Sequence, residues 1–167
     1  MDDPVFSRRS IRRYTDEPVT DEHVELLLRA AMAAPSAGNQ QPWQFVVLRD
    51  PEAFRAIAAW HPHAAMLPSA SVAIVVCGTP AGCKWPQMWE QDCSAATENV
   101  LVEAAALGLG AVWLGVHPLE DRVSALRELV GAPPEVVPFA VVSVGHPAEQ
   151  KAPSGRFDPA RVHRDHW

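Results

Sequence analysis

The stretch Ala34–Trp43, APSAGNQQPW, joins a predicted helix to a predicted strand, and the rest of the chain can be interpreted as its support. It combines two prolines, a glycine, a serine and three side-chain amides. Gly38 can adopt backbone angles that other residues resist, and each proline disfavours helix at the residue before it. The stretch is therefore a rigid loop whose small and amide side chains can hydrogen-bond a flat polar heterocycle. An ordinary connecting loop has a similar composition, so both interpretations stay open at this point.

The composition of the chain is that of a globular protein. With 167 residues, of which 48% are hydrophobic and 20% charged, we expect one domain over residues 1–167. The net charge of −6 leaves no basic excess to neutralise nucleic-acid phosphates. The apolar runs are short for a membrane span, no secretory signal is visible, and the three cysteines form no paired motif. We therefore expect a cytoplasmic protein with reduced thiols that binds neither nucleic acid nor membranes.

A cluster of four arginines lies near the start of the chain, at positions 8, 9, 12 and 13. Pro4 suits the first position of a short helix that would run from there to about Arg13. The fixed fork of donors on arginine matches a phosphate group, and Ser10 adds a hydroxyl donor. The cluster therefore predicts an anion site, with a solvated basic face as the alternative.

Hydrophobic spacing and capping residues predict the other helices and strands. We expect, in chain order, a helix capped by Thr20 and ending near Ala34, a strand at Trp43–Leu48, a helix from Pro51 to about Trp60, a buried central strand at Val72–Cys77, a long helix from about Pro86 to Leu107, a short strand ending at Gly115, a helix at Asp121–Val130 and a strand at Pro138–Gly145.

Two other features have ordinary explanations. The glycines at 108, 110 and 115 follow a helix and lead into a strand, which is the reverse of the order in a dinucleotide-binding turn. His61 and His63 have no companion ligands at metal-binding spacing, so we expect surface loop histidines and no metal site. Trp85, Met88 and Trp89, at the start of the long helix, are candidates for covering a ligand or for packing.

Four segments in the same order along the chain resemble the nitroreductase family of FMN-dependent oxidoreductases. They are RRSIRRY (Arg8–Tyr14), APSAGNQQPWQFVV (Ala34–Val47), GLGAVWLGVHP (Gly108–Pro118) and GRFDPARVHRDHW (Gly155–Trp167). The resemblance implies an α+β fold with a central, mostly antiparallel sheet flanked by helices. It also implies an intertwined homodimer with two FMN sites at the interface.

The resemblance also implies roles for individual residues. Arg8, Arg9 and Ser10 would hold the FMN phosphate and ribityl chain, Arg12 would lie near the pyrimidine edge of the flavin, and Arg156 would return from the tail to the phosphate. Pro35, Ser36 and Asn39 would reach the flavin from the other subunit, and Leu114 and Gly115 would present backbone N–H groups to it. Gly38, Trp85, Met88 and Trp89 are the candidates for lining the acceptor pocket.

The implied activity is a ping-pong transfer of a hydride from NAD(P)H, through tightly bound FMN, to an acceptor such as a nitroaromatic or a quinone. The cofactor carries the redox chemistry, so no side chain is predicted as a catalytic acid or base. One alternative is a flavin-binding sensor or carrier without turnover. The other is a structural dimerisation module whose arginines are only solvated.

Overall fold

A four-stranded antiparallel sheet with helices on both faces forms the fold in the computed structural model, which describes residues 3–167. The strands are β1 (Trp43–Leu48), β2 (Val72–Gly78), β3 (Gly110–Gly115) and β4 (Val137–Gly145), in the spatial order β1-β2-β4-β3. The helices are α1 (Pro4–Ser7), α2 (Asp21–Met32), α3 (Pro51–Trp60), α4 (Trp89–Ala106) and α5 (Glu120–Val130). The predicted α+β class with an antiparallel sheet is confirmed.

The two central strands carry the core on both of their faces. Every residue of β2 is buried, as its continuous apolar run predicted. Because side chains alternate along a strand, Ile74 and Val142 pack in the core beneath α2 and α4. Val75 and Val141 pack on the opposite face in the core beneath α3 and α5. The sheet is therefore covered on both sides, and β3 lies at one of its edges.

Local chemistry accounts for several helix ends. The Thr20 hydroxyl accepts a hydrogen bond from the His23 N–H at 3.2 Å and so caps α2, as predicted. Asp50 caps α3 in the same way, through Glu52. Gly131 ends α5 in the left-handed conformation with φ of 64°, which glycine adopts readily.

The predicted first helix is wrong in its length. α1 ends at Ser7, and Arg8 already has an extended backbone, with φ of −55° and ψ of 129°. Beyond it Ser10 forms a β-bridge with Ala111, and the Ile11 N–H donates to the Ala111 carbonyl at 3.0 Å. This pairing covers part of the outer edge of β3, where backbone groups would otherwise lack partners. The arginine cluster therefore lies on an extended segment.

Among residues 3–167, none of the helices combines the length and the apolar character needed to cross a lipid bilayer. Cys77, Cys83 and Cys93 are free thiols.

Candidate functional site

Four arginines and two serines line a cavity of about 240 Å³ beside the extended segment. The lining residues are Arg8, Arg9, Ser10, Arg12, Ser154 and Arg156. The fold thus brings Arg156 from the tail to the cluster near the start of the chain. Ser154 was not predicted, because a serine in a polar tail carries no distinguishing signal. Arg13 lies outside this group and lines a neighbouring cavity with Tyr14.

Contacts with α4 and with the segment after β4 hold the arginine-bearing segment. The Arg8 Nε atom lies 3.0 Å from the Glu98 carboxylate on α4, which leaves the other nitrogen atoms of Arg8 for a ligand. Arg9 donates to the carbonyl of Ala152. The Lys151 ammonium donates to the Ser10 carbonyl at 2.7 Å. The cluster is therefore positioned before any ligand binds.

Glu149 fixes the backbone at Arg12. Its carboxylate accepts the Arg12 N–H at 2.6 Å and lies 3.1 Å from the Lys151 ammonium. The hydrogen bond from the Arg12 backbone, with Lys151, lowers the pKa of Glu149. The carboxylates of Glu149 and Glu98 do not match the charge of the four arginines, so the cavity stays cationic. Such a site suits a dianion that accepts several charge-assisted hydrogen bonds.

The loop Ala34–Pro42 is held in an unusual backbone conformation. Gly38, Asn39 and Gln41 all have positive φ, at 55°, 56° and 48°. The left-handed region is costly for residues other than glycine and is found disproportionately at functional sites. The Gln41 N–H donates to the Ser36 hydroxyl oxygen, and the Gln41 side chain donates to the Asn39 side-chain oxygen, both at 3.0 Å. Ser36 and Asn39 therefore have fixed orientations.

The loop and the arginine cavity are separate regions of the chain. Pro35, Ser36 and Asn39 do not line the cavity around Arg8. The arrangement in which the loop of one subunit serves the FMN held by the other stays a prediction.

The three aromatic and methionine candidates differ in their surroundings. Trp85 and Met88 are 44% and 36% exposed, so each presents surface to a ligand. Trp89 is only 7% exposed, and its ring lies 5.8 Å from that of Phe139 between centroids. It also packs on Gly78, where an added Cβ would lie 2.2 Å from the indole ring. The close approach of α4 to β2 buries Trp89, which favours its alternative role in packing.

The end of β3 is held by two side chains from outside the sheet. The Gly115 carbonyl accepts hydrogen bonds from His61 Nε2 and from an Arg122 guanidinium nitrogen, each at 2.9 Å. Its backbone groups therefore face away from β4. Since neighbouring strand residues face opposite sides, the backbone groups of Leu114 face β4, opposite Val141. This alternation favours Gly115 over Leu114 as an N–H donor to a ligand.

His61 is buried, so the expectation of a surface histidine is wrong. It is 2% exposed, and its Nδ1 accepts the His63 N–H at 3.2 Å. Removal from water lowers the pKa of His61, and the nearby Arg122 acts in the same direction. The neutral ring, with its proton on Nε2, satisfies both contacts. No local pattern indicated this burial, because Gly115 lies on a distant strand.

The fold places a cationic cavity beside one edge of an antiparallel sheet. A family model described as the nitroreductase family matches residues 5–74 and 86–146. The match covers most of the chain, and the chain therefore belongs to the nitroreductase family. The resemblance found in the sequence is confirmed.

Several similar proteins match this chain over nearly its whole length and over nearly the whole of their own. A protein of Archaeoglobus fulgidus, provisionally named NADH dehydrogenase/NAD(P)H nitroreductase, is 52% identical over 98% of this chain and 96% of its own. A solved structure from Clostridium acetobutylicum, provisionally an NADH oxidase, is 46% identical with a TM-score of 0.95, and the match covers 99% and 100% of the two chains. A provisional nitroreductase from Desulfovibrio desulfuricans, solved in complex with FMN, is 35% identical with a TM-score of 0.86. The match covers 98% of this chain and 95% of that one.

Proposed function

We propose that this protein is an FMN-dependent oxidoreductase that takes reducing equivalents from NADH or NADPH and passes them to a small acceptor such as a nitroaromatic or a quinone. The observation that carries this proposal is the arginine-lined cavity, in a chain that belongs to the nitroreductase family. When bound, FMN would supply the hydride and electron chemistry. The protein supplies binding, orientation and electrostatics.

The residues of the cavity fit the phosphate of FMN. Arg8, Arg9 and Arg156 would neutralise its charge through forked donors, and Ser10 would add a hydroxyl. Arg12 lines both this cavity and a larger one of about 490 Å³ next to it. Its position supports a role towards the polar edge of the flavin ring, where a cation favours the reduced state.

The remaining contacts would come from two other parts of the fold. Gly115, and less favourably Leu114, would offer a backbone N–H at the edge of β3. Pro35, Ser36 and Asn39 would reach the flavin of the partner subunit in a homodimer. Gly38, Trp85 and Met88 would border the acceptor. No side chain is assigned as a catalytic acid or base.

The first test is the visible absorption spectrum of the purified protein before and after anaerobic addition of NADH or NADPH. A flavin spectrum that bleaches promptly is the expected result, because the protein is proposed to accept a hydride from one of these donors. A flavin spectrum that does not bleach would favour the sensor or carrier. A protein that takes up no FMN would contradict the proposal altogether.

The second test compares FMN with riboflavin, which lacks the phosphate. Wild-type protein should bind FMN more tightly than riboflavin. Arg156→Ala should lower the affinity for FMN by about 1.5–3 kcal/mol, the size of a charged hydrogen bond, and leave riboflavin binding unchanged. Binding is measured by flavin fluorescence titration, with Arg164→Ala as the matched control from the exposed tail. An unaltered preference in Arg156→Ala would refute the phosphate assignment.

A further inference from the structure

The side chain of Gln40 joins the loop Ala34–Pro42 to the segment before α4. Its Nε2 donates to the Trp85 carbonyl at 3.0 Å and to the Asp92 carboxylate at 2.7 Å. Its Oε1 accepts the Trp85 N–H at 3.0 Å. One amide group thus holds both backbone polar groups of Trp85.

Asp92, on α4, holds the Gln40 amide in place. It is only 5% exposed and lies in the first turn of α4, where the helix dipole favours a carboxylate. One of its oxygens accepts from Gln40 and the other accepts the Ala37 N–H at 2.9 Å. Asp92 therefore fixes both the backbone of the loop and the amide that holds Trp85. We call Gln40 and Asp92, with these contacts, the Gln40–Asp92 clamp.

The clamp sets the position of an aromatic ring against Gly38. A Cβ atom added at Gly38 would lie 3.1 Å from the Trp85 Nε1 atom, so the indole lies directly on this glycine. The ring is 44% exposed, and Lys84 Nζ lies 5.6 Å from its centroid. Trp85 therefore forms a flat wall beside the loop, accessible from solvent and held through its own backbone.

We propose that the Gln40–Asp92 clamp determines which acceptors the enzyme uses, by holding Trp85 against Gly38 as one wall of the acceptor pocket. The inference rests on the proposed function. Gln40 and Asp92 are positioning residues, and Trp85 determines specificity. With the indole held in place, we expect a one-ring quinone to be preferred over a wider three-ring one.

The first measurement is amide hydrogen exchange of the full chain, purified with FMN. Gln40→Ala should speed exchange in the peptide that contains Trp85, because the Trp85 N–H loses its acceptor. Gln44→Ala, an exposed glutamine on β1, is the matched control and should leave that peptide unchanged. Unchanged exchange in folded Gln40→Ala would show that the clamp does not hold Trp85, and the proposal would fall.

The second measurement is steady-state kinetics with 1,4-benzoquinone and with anthraquinone-2-sulfonate. Gln40→Ala should lower the KM for the wide quinone relative to the narrow one by roughly two- to tenfold, the effect of losing a hydrogen bond of ordinary strength. Trp85→Leu, which leaves the side chains of the clamp intact, should shift the ratio in the same direction. A constant ratio in both variants would overturn the proposal.

Asp92→Asn tests the other half of the clamp. Its amide nitrogen must face either the Gln40 amide or the Ala37 N–H, and both of these are donors, so the clamp should weaken. The KM ratio should shift in the same direction as in Gln40→Ala. An unchanged ratio in folded Asp92→Asn would count against the clamp.

The two proposals fail in different ways. If the flavin is not bleached by NADH or NADPH, the proposed function fails and the role in acceptor choice fails with it. If the flavin bleaches but the KM ratios stay constant, the function stands and only the clamp's role in acceptor choice is overturned.

Discussion

Gly115 combines a fixed backbone with open space where a side chain would be. His61 and Arg122 hold its carbonyl. Among residues 3–167, apart from Gly115 and its two chain neighbours, no heavy atom lies within 4 Å of the place where a Cβ would stand. Glycine is therefore not required there by the folded chain itself. A ligand that approaches the strand closely would explain why position 115 is a glycine.

Replacing Gly115 by valine tests this close approach. The apoprotein should change its free energy of unfolding by less than about 0.5 kcal/mol, because the position is open and valine suits a strand. The affinity for FMN should fall by about 1–3 kcal/mol, the usual cost of forcing atoms into an occupied space. Chemical unfolding and flavin titration measure the two effects.

Gly110→Ala is the contrasting variant on the same strand. Its Cβ would lie 2.6 Å from the Ile11 side chain, so it should destabilise the apoprotein. Gly115→Val with full affinity for FMN would refute a ligand at that edge of β3.

The buried His61 makes stability depend on pH. Because its folded pKa is lowered from 6.5, the unfolded chain binds a proton more readily than the folded one. The contribution of His61 to stability is therefore fully present above pH 6.5 and is lost as the pH falls from there through the folded pKa. Arg122 and His63 face the ring and oppose its protonation.

Urea unfolding of wild type and His61→Gln, followed from neutral to acidic pH, measures this effect. The loss of stability below pH 6.5 should be smaller in His61→Gln, which has no titrating ring. His163→Gln, in the exposed tail, should behave like the wild type. Parallel curves for wild type and His61→Gln would contradict the assignment.

At the scale of elements, α4 links the core to the candidate site. It carries Asp92 of the clamp, Glu98 beside Arg8, and the buried Trp89. The packing of Trp89 on Gly78 of β2 helps to position the start of the helix against the sheet. A change there should disturb both regions that α4 supports.

Trp89→Ala should lower the free energy of unfolding by about 3–5 kcal/mol, because it leaves a cavity in the core. Trp85→Ala removes the same atoms from a half-exposed position and should cost much less. Denaturant unfolding of the two variants side by side measures the difference. Equal costs would mean that Trp89 is not the core residue described above.

Local pattern predicted most elements because their determinants are local. Thr20 bonds three residues ahead, Pro51 opens a helix by its own geometry, and β2 is apolar throughout. The prediction of a longer first helix was wrong because Ser10 and Ile11 pair instead with the edge of β3, which is distant in the sequence. The strength of that pairing cannot be derived from the local sequence.

At the scale of the whole molecule, large apolar side chains are exposed at both ends of the chain. Phe6 is 72% exposed in α1, and Phe157 and Trp167 are 83% and 100% exposed in the tail. Side chains of this size are costly to leave in water, and their exposure is typical of an interface. We therefore propose that a second copy of the chain covers them in a homodimer.

The double variant Phe157→Ala/Trp167→Ala should weaken that dimer while keeping Arg156. Sedimentation at decreasing protein concentration should show dissociation at a higher concentration than in the wild type, because apolar contact area is lost. The variant should also retain less FMN, if the sites lie at the interface. Identical sedimentation of variant and wild type would refute a role for the tail in dimerisation.

The parts of the candidate site differed in how far sequence could predict them. The sequence indicated the arginine cluster, since four like charges in an acidic chain stand out. The structure places three of these arginines around one cavity, together with Arg156. The partners that orient the site, namely Glu98, Asp92 and His61, were not. Each is an ordinary residue whose importance comes from a contact far along the chain.

Residues 152–167 are exposed throughout, and this tail carries Arg156, Arg161 and Arg164. Arginines in an extended, accessible segment are cleavage sites for trypsin-like proteases. A single cut after Arg156 would remove both tail aromatics, Phe157 and Trp167, and would leave Arg156 at the new chain end. If a partner and FMN cover the tail, protein without cofactor is the form that is clipped first. Cofactor supply would then determine the lifetime of the protein as well as its activity.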